Sequence, residues 1–200
     1  MYAFRLDAAD VRIAQRHVSD SEHRGPIRGM LVEENGTIAA TDGHTLFACA
    51  PDPAVNCNTP PRAMILRFAK AIPTWATWID ITPSETRTDA PIVATCSNAR
   101  GKQAELIVHE LAGPFPQWRQ VVPRALEVTA PLPPINPALL ERFSYGQTAR
   151  VLCVAQRNPE AAILVHMPTA RYLGLIMPMR VRDDFAHVGH VADWAVAHAA

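Results

Sequence analysis

The stretch "IRGMLVEENGTIAATDGHTLFACAP", Ile27 to Pro51, reads as β-structure and sets the fold class. Two apolar runs flank Glu34-Asn35-Gly36, and Asn-Gly between such runs is a strong hairpin signal. The second strand is expected to break at Asp42-Gly43 and to resume through Leu46 to Cys49. On that reading Asp42 and His44 share one side of a strand, where an acid can orient an imidazole. The simpler reading is a turn or bulge at Asp42-Gly43, with the Asp42 carboxylate bonded to local backbone. No serine or cysteine nucleophile stands near them in sequence, so a hydrolase built on Asp42 and His44 is the weaker reading.

Outward from this stretch, a helix-plus-strands pattern recurs at a spacing of about 60 residues. Before it, a strand at Tyr2 to Arg5 leads to Asp7, a suitable N-cap, and to a helix reaching about Val18. Val11, Ala14 and Val18 share one face of that helix, and Arg12 and Arg16 lie four apart on another. A second helix is expected after Pro61, where Ile65, Phe68, Ala69 and Ile72 have helical spacing. Strands follow at Trp78 to Thr82, Ile92 to Ser97 and Ala104 to His109. "GPFPQWRQVVP", Gly113 to Pro123, is too rich in proline for a central strand and reads as a connector.

The third round begins at Asn136, a cap with Pro137 in the first helical position. Leu139, Leu140 and Phe143 are its apolar residues. Strands follow at Val151 to Gln156, Ala161 to His166 and Tyr172 to Met177. The fold class is therefore α+β, with three helix-plus-strands units packed side by side, since one unit alone leaves its apolar faces uncovered. The tail from Arg182 to Ala200 reads as a short helix.

Composition narrows the function classes. The chain has 200 residues, 19 basic and 19 acidic, and 48% hydrophobic residues, which suits a globular protein with a substantial core. Zero net charge gives no global attraction to nucleic acid or membrane. The cysteines, Cys49, Cys57, Cys96 and Cys153, form no CxxC pair and read as free thiols of a reducing compartment. His187, His190 and His198 read as solvated tail residues and not as metal ligands. No long apolar run predicts a transmembrane helix and no signal peptide is read, so the expected location is cytoplasmic. No cofactor is expected.

Three blocks in order resemble the bacterial DNA polymerase III beta subunit, the sliding clamp: "GMLVEENGTIAATDGHTLFAC" (Gly29 to Cys49), "GPFPQWRQVVP" and "LIMPMRV" (Leu175 to Val181). The resemblance covers roughly residues 1–181. It implies the DNA clamp fold, with helices on one face of antiparallel sheets and lining a channel. It also implies a shortened form. Residues 1–123 resemble the family's middle domain, residues 124–181 the second half of its last domain, and residues 182–200 have no counterpart. Units left without a partner imply self-association into a homo-oligomer.

The resemblance further implies a non-enzymatic processivity factor for DNA replication, with a pocket for short peptide motifs of polymerase or repair proteins. Carried over position by position, that pocket takes Arg24, Ile27, Thr41, Gly43, His44 and Leu46 from the first block and its approach. It takes Pro116 and Val121 from the connector. Leu175, Ile176, Met177, Pro178, Met179 and Arg180 come from the last block. Flexible, polarizable methionines suit a pocket that accepts several ligands. Thr45 and Gln120 stand where the family has arginines, which removes positive charge. Arg12, Arg16, Arg62, Arg67, Lys70 and Arg142, placed on the three expected helices, are the candidates to face duplex DNA through its phosphates. The alternative is a peptide-binding module without a ring, acting as a decoy or regulator of a full-length clamp.

Overall fold

A computed structural model describes residues 3–55, 58–83, 90–123, 135–144, 152–154, 161–167 and 169–178. Met179, Arg180, Val181, the stretch 124–134 and the tail 182–200 lie outside the described residues.

The first strand, β1 (Phe4–Asp7), buries Phe4 and Leu6 and runs straight into helix α1 (Ala8–Ala14). Asp7 caps that helix as its sequence predicts, accepting hydrogen bonds from the N–H groups of Ala9 (2.6 Å) and Asp10 (3.2 Å). A 3-10 turn, Gln15–His17, extends it to Val18. Next come β2 (Met30–Val32), β3 (Ile38–Thr41) and β4 (Thr45–Cys49). The β2–β3 connection turns at the expected glycine, with Gly36 at φ +85° and the Glu33 N–H donating to Thr37 O.

The β3–β4 connection corrects the expectation of one interrupted strand. The chain reverses at Asp42–His44, and the two strands pair antiparallel with Thr41 opposite Leu46 and Ala40 opposite Phe47. A three-residue turn with a left-handed glycine makes this reversal possible.

The second expected helix is also overturned. Met64–Phe68 form strand β5, held between β2 and a later strand, β8 (Gln103–Glu110). Met64, Leu66 and Phe68 enter the core, a period of two that the helical spacing of Ile65, Phe68, Ala69 and Ile72 conceals. Pairing on both sides of the strand decides between the two. Pro73 interrupts the short connection that follows, before β6 (Trp78–Ile81). Arg62, Arg67 and Lys70 therefore lie on no helix. The strand β7 (Ile92–Ser97) joins β6 to β8.

In the third round, Asn136 caps α2 (Pro137–Glu141) by accepting from the Ala138 N–H at 3.0 Å. The strands β9 (Leu152–Val154), β10 (Ile163–His166) and β11 (Tyr172–Ile176) complete the described elements. All the described strands join one antiparallel sheet in the order β1-β6-β7-β8-β5-β2-β3-β4-β11-β10-β9. The junction of β4 with β11 unites the first and third rounds, with Leu175 opposite Leu46 and Gly174 opposite Phe47. Residues of α1, Phe143, and Leu139 and Leu140 of α2 pack against one shared core cluster. The helices thus cover the sheet where β4 meets β11.

Candidate functional site

The site is built around the β3–β4 turn. Asp42 Oδ1 accepts from the N–H groups of His44 (2.9 Å) and Thr45 (2.8 Å) and from the Thr45 hydroxyl (3.1 Å). The Thr41 hydroxyl donates to Thr45 O at 2.7 Å, and Arg24 Nη1 donates to Asp42 O at 2.6 Å. Gly43 sits at φ +88°, and a Cβ there would lie 2.8 Å from Arg24 Nη1. The left-handed backbone favours glycine here, whereas the Arg24 tip could move aside for a Cβ. Asp42 thus engages the His44 backbone, as the turn reading of Asp42-Gly43 expects.

Beside this turn, Leu46, Leu175 and Ala162 form a small buried cluster of their own, with Trp118, Val122 and Leu164 packed against it. Leu46 and Leu175 meet because they are register partners across the β4–β11 junction. The Met177 N–H donates to His44 O at 2.8 Å, fixing the end of β11 to the turn. A cleft of about 290 Å³ opens over this cluster. Its turn side is made by Ile27, Thr41, Gly43, His44, Thr45 and Leu46, its connector side by Pro116, Gln117, Trp118 and Val121, and its far side by Ala162, Leu175 and Met177. Val121 and Met177 remain 53% and 42% exposed, so apolar groups stand at the rim ready to be covered.

The connector is fastened by one carboxylate. Glu33, at the end of β2, accepts two hydrogen bonds from Arg119 (2.5 and 2.6 Å) and one from Trp118 Nε1 (3.3 Å). The Arg119 bonds hold the Glu33 carboxyl below its usual range, against the opposing effect of burial. The Arg119 guanidinium also lies over the Trp118 ring, 4.2 Å from its centroid.

Of the residues expected in the pocket, Ile27, Thr41, Gly43, His44, Leu46, Pro116, Val121, Leu175 and Met177 line this cleft. Arg24 stands behind Gly43 as a brace and does not line it. Ile176 is fully buried in the main core, because strand alternation turns it away from Leu175. Pro178 is half-buried and outside the lining. Gln117, Trp118 and Ala162 line the cleft without having been singled out, and Thr45, noted only for replacing an arginine of the family, lines it too. Trp118 carried a signal, an aromatic residue in a proline-rich connector. Ala162 carried none, since only the packing of β10 on β11 brings it there.

Behind the turn lies a buried polar cluster. His17 is completely buried between Phe47 and Phe143, with ring centroids at 5.6 and 4.4 Å. Its Nδ1 lies 3.0 Å from Thr45 Oγ1. The Thr45 hydroxyl donates to Asp42, and His17 Nε2 is buried without a hydrogen-bond partner among the described residues. Burial, helped by the Arg142 charge, pushes the His17 pKa down to about 3.

An unfolded chain protonates this histidine near pH 6.5, so its contribution to stability is complete above that pH and is lost on descent towards pH 3. Between pH 6.5 and 5 the loss should reach about 2 kcal/mol. Asp10, whose carboxyl is raised by burial, acts in the opposite direction on acidification. Urea titrations of the wild type and His17→Gln at both pH values isolate the term, and the variant should show the flatter dependence.

The candidate DNA-facing cations divide by environment. Arg142 pairs with Asp42 Oδ2 at 2.5 Å and Arg62 pairs with Glu110, so a carboxylate neutralises each. Arg12 donates to the carbonyls of Pro73 and Ala76, and Arg16 to that of Ser144. Among the described residues, neither Arg67 nor Lys70 has a side-chain ion pair, and Arg67 lies opposite His109 on the β5–β8 ladder. No cluster of metal-ligating side chains occurs among the described residues, and no described helix is long and apolar enough to cross a membrane.

No family model matches the sequence, and no curated protein matches it. Solved structures do. A DNA polymerase sliding clamp from Pseudomonas aeruginosa, solved with a ligand, matches with a TM-score of 0.60 and 17% identity over 90% of this chain and 66% of the clamp. The DNA polymerase III subunit beta from the same organism matches with a TM-score of 0.58 and 15% identity, over 90% of this chain and 67% of that one. A DnaN clamp from that organism bound to griselimycin matches with a TM-score of 0.59 and 17% identity, over 90% of this chain and 66% of its own. This chain spans about two thirds of the length of the clamps it matches. It has the α+β fold of the bacterial DNA polymerase sliding clamps.

Proposed function

We propose that the protein is a clamp-like, non-enzymatic DNA replication factor whose cleft at the β4–β11 junction binds short peptide motifs of polymerase or repair proteins. The observation that carries this reading is the cleft itself. An apolar floor of Leu46, Ala162 and Leu175 meets exposed apolar rim groups, and backbone turns hold the walls. Such a site buries aliphatic and aromatic anchors of an extended peptide. A solved clamp of this fold has been obtained bound to griselimycin. The same reading makes the protein a cytoplasmic homo-oligomer that encircles duplex DNA. Contact would run through phosphates and be sensitive to salt, with Arg16, Arg67 and Lys70 as the cations that no described carboxylate neutralises.

Fluorescence anisotropy with a labelled peptide bearing leucine and phenylalanine anchors tests the cleft. Met177→Ala removes an exposed rim group and should weaken binding about tenfold with the fold intact, equivalent to about 1.4 kcal/mol. Unchanged affinity would remove the cleft from this role. Light scattering across a concentration series tests the ring, which a monomer at every concentration excludes.

A further inference from the structure

The cleft wall is held in place from behind by a residue that does not line it. Arg142 follows α2, in the third round of the chain, while Asp42 belongs to the β3–β4 turn of the first. The Asp42 carboxylate is 8% exposed and uses both oxygens. One oxygen collects the His44 and Thr45 N–H groups and the Thr45 hydroxyl, and the other takes the Arg142 guanidinium at 2.5 Å. Arg142 Nη1 also lies 3.4 Å from Thr45 Oγ1. We propose that Arg142 is a positioning residue for the cleft: its pairing with Asp42 fixes the Gly43–His44–Thr45 wall against which a ligand packs.

The geometry gives three reasons. Gly43 supplies no side-chain restraint and is left-handed, so the wall takes its shape from hydrogen bonds, three of them made to the Asp42 carboxylate. A nearly buried carboxylate needs a counter-charge, and Arg142 is the cation that meets it side chain to side chain; Arg24 reaches only the Asp42 carbonyl. Finally, the wall is tied to the third round a second time through the Met177 N–H bond to His44 O. The α2 segment and β11 thus converge on the same turn, and the cleft takes its shape only when the first and third rounds are docked.

This inference rests on the peptide-binding reading for its ligand, but its structural half stands alone, and the experiment separates the two. Peptide affinity and amide hydrogen exchange are measured on the full chain for wild type, Arg142→Lys, Arg142→Gln and the double variant Asp42→Asn/Arg142→Gln. Arg142→Gln should weaken the leucine–phenylalanine peptide about tenfold and speed exchange at the His44 and Thr45 amides. Exchange in β7 and β8 should stay at wild-type rates, which a general loss of stability would not allow. Arg142→Lys keeps the charge and should recover most of both effects. If Arg142→Gln does not fold, the double variant leaves no lone buried charge and should show the same two losses. Wild-type exchange at His44 and Thr45 in Arg142→Gln or in the double variant, or a uniform acceleration across the sheet, overturns the proposal. A wild type that binds no peptide refutes the ligand reading alone, and the exchange rates still decide whether Arg142 sets the wall.

Discussion

Phe143→Ala should cost about 3–5 kcal/mol, read as a shift in the urea midpoint with an unchanged slope. The ring is completely buried and touches His17 on one side. On the other it lies directly on the backbone of β11: a Cβ built on Gly174 would stand 2.6 Å from Phe143 Cε1 and 2.9 Å from Val165 Cβ. Gly174 is a strand glycine whose missing side chain makes room for this ring. Removing the ring opens a cavity at the seam between the first and third rounds, where little can collapse to fill it. A specific non-additivity follows. Gly174→Ala should be destabilising alone, by overpacking, and much less so beside Phe143→Ala, where its methyl enters the vacated space. A loss below about 1 kcal/mol for Phe143→Ala, or simple additivity in the pair, would show that this ring does not hold the seam.

Asp10→Ala should cost about 3 kcal/mol, because it removes a buried carboxylate from two half-buried partners that bond to it. Asp10 is 2% exposed on α1. It accepts from the Tyr172 hydroxyl at 2.6 Å and from Arg171 Nη1 at 3.0 Å, both at the start of β11. Burial raises its carboxyl above the ordinary range, and the bonds from Tyr172 and Arg171 pull the other way. The same environment pushes the Tyr172 hydroxyl and the Cys49 thiol upward, so neither ionises in the neutral range. Arg171 keeps contacts with Ala50 O and Asp52 after the substitution, which limits the damage. Asp10→Asn retains an acceptor for Tyr172 and should lose less than Asp10→Ala. Equal losses in the two variants would show that the charge, and not the Tyr172 bond, holds α1 to β11.

Phe143 and Asp10 act at one place, the junction of β4 and β11, and the candidate cleft lies at the end of that junction. Stability of the seam and shape of the cleft are therefore coupled. The prediction for Arg142 is the local expression of the same arrangement.

Much of this was legible in the chain. The caps at Asp7 and Asn136, the turn at Gly36 and the strands Ile92–Ser97 and Ile163–His166 depend on a few adjacent residues, whose backbone preferences act over short range. The three blocks that resemble the clamp family contain most of the residues that line the cleft, because each includes a strand end or lies in the connector. Other features were not local. Met64–Phe68 has spacing compatible with either helix or strand, and only the edges offered by β2 and β8 made it a strand. Arg142 reads as one more exposed helix cation until Asp42, a hundred residues earlier, is seen to need a counter-charge. The residues by themselves determined where the chain turns, caps and extends, since those choices follow from steric limits and hydrogen bonds between near neighbours. Only the tertiary structure decided which cations remain unpaired and which residues meet in the cleft. Those outcomes depend on burial, and burial exists only once distant strands have paired.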